Sequence, residues 1–433
     1  MRALHVIELG NSAAERGTGV TRWALYVTMM LAAAAAPVRA ETIAIVGGTV
    51  YVRADRKLEN ATVIVRDGKI AEVGAGVAVP AGATRIEAAG KVVTAGLIEA
   101  ATQLGLIEVD LEASGNDGRF GNAEVHAAFR TADAYDGRSV AIPVARTGGV
   151  TSAITGPSGG LVAGQSAWVS LADGAAVPAP IRAIAAMNGE LGRGAIPSGS
   201  RGRAVERMRE LFDDVDLYRR NRASFDRNQS RRLAAGRLDL EALVPVLEGR
   251  VPFVIAANAE VDIRAALAVA AERRLAIAIV GGGEAWRLAK ELAAAKVPVI
   301  VDPTDNIPRD LGALDVRDDN AALLAKAGVP VAISTIGRPS DVRTLRQMAG
   351  IAVANGLPWE KGLAAITSAP AQIFGAVGQR GTLDRGAAGD VVVWSGDPLE
   401  LTTRAEVVII GGAVQSLDTH QTRLRERYRN LPK

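Results

Sequence analysis

The chain has 433 residues, 48% of them apolar and only 4% aromatic, with a formal net charge of +3. That length suits one large or two medium domains, with a core filled by Ala, Val, Leu and Ile. The near-neutral charge gives no reason to expect nucleic acid as a partner, and the lack of cysteine excludes disulfides, thiolate nucleophiles and thiolate metal sites together.

Residues 1–40 read as a secretory signal. Arg16 and Arg22 supply positive charge, Ala24–Ala36 is an uncharged, largely apolar run, and Val38-Arg39-Ala40 ends it in a small-x-small pattern. The run is shorter than the roughly 20 residues of a spanning helix, which argues against the alternative of an uncleaved anchor. The stretch before Thr21 fits neither helix nor strand, so Val20 or a neighbour is a candidate first residue. These 40 residues hold four Arg and two Glu, so their removal takes the charge from +3 to +1. The expected location is periplasmic or secreted, with no membrane span after cleavage.

From Glu41 to about Thr94 the pattern is β. Thr62–Val65 and Lys69–Val73 flank Asp67-Gly68, a hairpin signal. Asp390–Trp394 and Val407–Ile410 read as strands near the other end, and neither β segment is long enough to bury a core alone. The two are expected to pair into one small β-sandwich domain.

Between them the period changes. Apolar runs at Val251–Ala256, Leu275–Val280, Val297–Val301 and Val329–Ser334 alternate with helical stretches at Asp262–Arg273, Glu284–Ala295, Asn320–Ala327 and about Ser340–Ala354. Earlier strands are expected at Gly149–Thr155 and Ile181–Ala186. Strand–helix repetition of this kind makes a parallel sheet covered on both faces. Seven or eight such units predict an α/β fold, a (β/α)8 TIM-like barrel. A doubly wound sheet is the alternative, but Gly281-Gly282-Gly283 lacks the dinucleotide fingerprint. The charged stretch Arg201–Glu241 reads as a solvated helical face.

Several segments, in order and spacing, resemble the amidohydrolase superfamily and its exported, imidazolonepropionase-like branch. They are Asp67-Gly68-Lys69-Ile70, Gly90-Lys91-Val92-Val93, Gly96-Leu97-Ile98-Glu99, Gly148-Gly149-Val150-Thr151, Thr367–Gly375, Gly381-Thr382-Leu383 and Ala388–Val393. The similarity runs from about Thr42 to Asp418. It implies a composite β-domain over 41–95 and 376–415, a barrel over 96–375 and a basic tail over 416–433. It also implies hydrolysis of C–N bonds in amides or cyclic amides, by a water that divalent metal such as zinc activates.

The ligand positions that the resemblance implies are filled differently here. The first-strand pair falls on Ala101 and Gln103, the fifth-strand histidine on Ala256 with Asn258 beyond it, the sixth on Gly281 and the eighth-strand Asp on Ile336. Glu190 stands at the fourth-strand position. Independently of alignment, the chain has three histidines, and His5 and His420 lie in its terminal segments. His126 alone cannot build a zinc site, which takes about three protein ligands. No metal or other cofactor is therefore expected.

The polar groups expected at the strand ends are Gln103, Glu190, Asn258, Glu260, Glu284, Asp302, Asp305, Ser334 and Thr335, with Glu99 and Glu108 as additions from the first strand. Glu284 is a candidate base, or simply an acid in a first helical turn. Asp302 and Asp305 are candidate oxygen ligands, or caps of the turn that follows. Gly156-Pro157-Ser158-Gly159-Gly160 has the letters of a nucleophile elbow but reads as a turn. Two functions follow: a hydrolase without the usual metals, or a non-catalytic barrel binding a small molecule or another protein. A small-molecule ligand or substrate is the expected partner, and a homo-oligomer is compatible with both.

Overall fold

Both ends of the chain contribute to one sheet. The computed structural model describes residues 42–429 except 110–111, 120–123, 174–179, 228, 230 and 309–311; the expected signal at 1–40 lies outside the described residues. The chain opens with β1 (Ile43–Arg53), β2 (Arg56–Arg66), β3 (Lys69–Ala75), β4 (Thr84–Glu87) and β5 (Val92–Ala95). Asp67 and Gly68 turn β2 into β3 with φ of 53° and 71°, the left-handed pair that a tight hairpin requires.

Eight strands then form a second sheet in sequence order: β6 (Leu97–Thr102), β7 (Val150–Thr155), β8 (Val162–Ser170), β9 (Arg182–Glu190), β10 (Phe253–Ala257), β11 (Ile277–Gly281), β12 (Val299–Val301) and β13 (Val331–Ile333). β13 returns against β6, making a mostly closed barrel. The chain finishes in β14 (Val391–Trp394), β15 (Ala405–Ile410) and β16 (Ala413–Val414), which extend the first sheet in the order β16-β15-β14-β5-β1-β2-β3, with β4 on β1. The expected barrel and composite sheet are both present.

One strand departs from the regular repeat. β8 runs antiparallel to both β7 and β9. Only residues 156–161 separate β7 from β8, and a parallel return needs a crossover of a dozen or more residues. Gly159 and Gly160, at φ of 97° and 77°, turn the chain back instead.

The later strands begin two residues inside their apolar runs. Pro252, Pro298 and Pro330 stand just before β10, β12 and β13. Each accepts a bond on its carbonyl, from Met187, Ile279 and Val299 respectively. None has an N–H to donate to the ladder. The helix expected from Glu284 starts as a 3-10 turn (Ala285–Leu288) before Ala289–Ala294, and that expected from Ser340 starts with Pro339–Thr344 before Leu345–Ala354.

The charged stretch folds as expected only in part. Ser200 caps the helix Arg201–Arg220 by accepting from the Arg203 N–H, and Met208, Leu211, Phe212 and Val215 face inward. Asp214, however, is fully buried, ion-paired to Arg231 and accepting from the Ala234 N–H at 2.7 Å. The basic tail forms an exposed helix at His420–Arg429. Among the described residues no helix is long and apolar enough to cross a membrane.

Trp394 joins the first sheet to the barrel. Its indole Nε1–H donates to Thr94 Oγ1 at 2.9 Å, and the guanidinium of Arg346 lies 5.9 Å from its ring. Gly149, at φ 81°, leaves the space that the indole fills, since a Cβ there would overlap the ring. Gly149→Ala adds a left-handed backbone cost to overpacking, so we expect a loss of about 3 kcal/mol. Urea denaturation measures it; a change within about 0.5 kcal/mol would contradict this packing account.

Candidate functional site

The C-terminal ends of the parallel barrel strands surround a cavity of about 410 Å³. Its floor is apolar: Ala100, Ile154, Val254, Val280 and Phe374 close it from the barrel interior. Its walls carry Gln103, Ser158, Ser166, Asn188, Glu190, Asn258, Asp302 and Asp305, with Arg119 and Arg338 as the basic groups. Ala101, Gln103, Ala256, Gly281 and Ile336 all line this same cavity. Five positions chosen from sequence thus converge in space, although four have no side-chain donor to offer a metal.

The polar side chains of the wall are mostly engaged with one another. Gln103 donates from Nε2 to the Gly118 carbonyl at 2.7 Å and to Ser158 Oγ at 3.1 Å. Ser166 donates to Asn188 Oδ1 at 2.9 Å, and Asn188 donates to the Pro157 carbonyl at 3.0 Å. Asp302 accepts from the Thr304 N–H at 2.8 Å and from its hydroxyl, as a turn cap does, while its second oxygen takes Arg338 Nη2 at 2.6 Å. Arg338 and Arg119 were not singled out in the sequence, because both sit in irregular loops away from any periodic element.

Glu190 differs from its neighbours. It ends β9, opposite Ala256 of β10, and burial, then the negative charge of Asp262, raises its carboxyl above the usual range. Asp262 itself is paired with Arg201 at 2.6 Å. Neither Glu190 nor Asn258 has a side-chain hydrogen bond among the described residues. Gly281, at φ 92°, gives Asn258 its room, because a Cβ there would strike Oδ1.

A divalent ion of the hydrolytic kind does not fit this donor set. Gln103 offers only a neutral amide oxygen, Asp302 is neutralised by Arg338, and Glu190 stands on the far side of the barrel from it. Among the described residues no group of three or more His, Cys, Asp or Glu is placed to hold a metal.

Two expected pocket residues lie elsewhere. Glu284 accepts from the backbone N–H groups of Glu260 (2.7 Å) and Asp315 (3.0 Å), pinning two loops instead of facing the cavity. Thr335 is fully buried, with its hydroxyl on the Arg338 carbonyl at 3.3 Å. Glu260 is held by Arg264 and Arg287, and Glu108 accepts from the Val140 N–H. His126 is not among the cavity-lining residues. Ser158 lines the cavity but leads into two left-handed glycines and not into a helix.

Beneath the wall, Glu99 and Ser334 join β6 to the loop after β13. The Glu99 carboxyl accepts from the Ser334 hydroxyl, from the Ala101 N–H at 3.2 Å and from the Thr335 N–H at 3.3 Å. Ser334 Oγ also accepts from Ile336 N–H at 3.1 Å. Ile336 has φ 43° and Gly337 φ 71°. A β-branched residue in the left-handed region costs on the order of 1–2 kcal/mol, which these bonds offset.

Burial pushes the Glu99 carboxyl up to about 7, against its four hydrogen-bond contributions. The folded value lies above the unfolded one, so folding takes up a proton between them. That contribution is complete below about pH 4.5 and is lost as pH rises through 7. We expect Tm to fall from pH 5 to pH 8 in the wild type, and to fall less in Glu99→Gln. Parallel Tm–pH curves for the two proteins would refute this account.

No protein-family model and no curated protein matches the chain. Solved structures do. An amidohydrolase from Thermotoga maritima is 26% identical with a TM-score of 0.78, over 86% of this chain and 99% of that one. Molinate hydrolase (20% identity, TM-score 0.57) aligns over 88% of this chain and 95% of its own. Aspergillus niger ochratoxinase (15%, 0.52) aligns over 87% and 96%. The last two show the fold alone. The barrel, the sheet built from both chain ends and the near-complete overlap with the Thermotoga protein relate this chain to the amidohydrolase-superfamily TIM barrels, although its described residues contain no metal-binding triad.

Proposed function

We propose that this barrel binds a small molecule in its cavity and does not hydrolyse C–N bonds through a metal centre. One observation carries the reading: the positions where the family resemblance implies metal ligands are Ala101, Gln103, Ala256, Gly281 and Ile336, and all face one cavity. The cavity keeps room for a ligand while its walls lack the imidazoles that would hold an activating ion. Fold likeness by itself carries no activity.

A second reading is favoured by Glu190. A carboxyl raised by burial at a cavity wall is the property of a general base. On that reading the chain hydrolyses amide or cyclic amide bonds without metal, in keeping with the imidazolonepropionase-like branch. In both readings the N-terminal pattern of Arg16, Arg22 and Ala24–Ala36 supports export to the periplasm or beyond. The composite domain over 41–95 and 376–415 then supports the barrel from outside the site.

The test is metal analysis of the protein purified without chelator, together with turnover assays on dipeptides, hydantoins and lactams. The expected result is no stoichiometric metal and no turnover. Metal that survives dialysis overturns the binding reading, and metal-free turnover abolished by Glu190→Gln establishes the second reading in its place.

A further inference from the structure

Glu190 and Asn258 line the cavity with side chains that make no hydrogen bond among the described residues. They end neighbouring strands, and both also line a smaller adjoining cavity of about 110 Å³, so they stand where the two spaces meet. Nearby glycines give both side chains their room: a Cβ on Gly194 would displace Glu190 Oε1, and one on Gly281 would strike Asn258 Oδ1. Of the charged groups around them, Arg201 is committed to Asp262 and to the Gly312 carbonyl. Arg193, which lines the smaller cavity, is exposed. Across the barrel Arg338 is cancelled by Asp302.

With Asp302 taken by Arg338, Glu190 is left as a carboxyl with no cationic partner among the described residues, beside an apolar floor that includes Val254, Val280 and Phe374. We propose, resting on the binding reading above, that the ligand is an amine: an apolar aryl or alkyl body on the barrel floor, with its cationic nitrogen against Glu190 and Asn258. The nitrogen donates to both acceptors and sets a positive charge against the Glu190 carboxyl. The apolar body displaces water from the floor, which is the other source of affinity. A carboxylate in the same place would meet Glu190 as a like charge.

Calorimetric titration with phenethylamine, 3-phenylpropionate and 2-phenylethanol tests this, since the three share a body and differ in the polar end. The amine is expected to bind, the carboxylate not to, and the alcohol to bind more weakly than the amine. Glu190→Gln should weaken the amine by about tenfold or more, the loss of one charge-assisted hydrogen bond. Gly194→Ala, which moves the carboxyl and leaves its charge, should weaken it as well and carries the test if the first variant does not fold. Equal or tighter binding of 3-phenylpropionate, amine affinity indifferent to both substitutions, or no binding of any of the three in the millimolar range overturns the inference. These outcomes are read separately from metal content and turnover, which decide the binding reading itself.

Discussion

One buried carboxyl, that of Glu99, ties together the seam where the barrel closes. β12 and β13 are three residues each, too short to carry the barrel round on backbone pairing alone. Between the end of β13 and β6, side chains join one backbone bond (Gly337 N–H to the Ala101 carbonyl, 3.1 Å): Glu99 reaches across to Ser334 and Thr335, and Ser334 returns to the backbone of Ala101. A fully buried acid is costly to ionise, and the cluster of donors around it is what makes that position tolerable. The same bonds hold Ile336 and Gly337 left-handed, which brings Arg338 over the cavity and onto Asp302. Seam, loop and cavity wall are thus one connected arrangement.

Around that seam the barrel builds a polar-rimmed cavity. Strand ends converge on it, and loops supply polar groups to its rim. Ala101, Ala256, Gly281 and Ile336 bring no charge to its wall, which carries an Arg338–Asp302 pair and, on another strand end, Glu190.

The reversed strand β8 shows how local constraints shape the site. Its entry turn carries Pro157, Ser158 and Gly159 into the cavity wall, and its early residues Ala163 and Ser166 follow. With a parallel strand and a crossover helix here, other residues would face the cavity. Ser158 and Ser166 are polar wall groups because a short linker forbade the helix.

Much of this was readable from the chain itself. Residue patterning marked the β ends, the strand–helix alternation and the Asp67-Gly68 hairpin, because apolar periodicity and turn residues act over a few positions. The three histidines were also countable without any fold, and the expectation of no conventional zinc site rests on that count. Where strands begin was missed by two residues, since the alternation of apolar side chains does not register that Pro252, Pro298 and Pro330 lack a donor. Glu284 and Glu99 looked alike in sequence, as acids near strand ends, yet one staples loops and the other closes the barrel. Arg119 and Arg338 gave no signal, because a loop side chain acquires its role from whatever the fold places opposite it. Composition and period therefore determined which elements form. The direction of β8, the seam at Glu99 and the isolation of Glu190 were decided only by tertiary structure, because burial and partner choice depend on residues far apart in the chain.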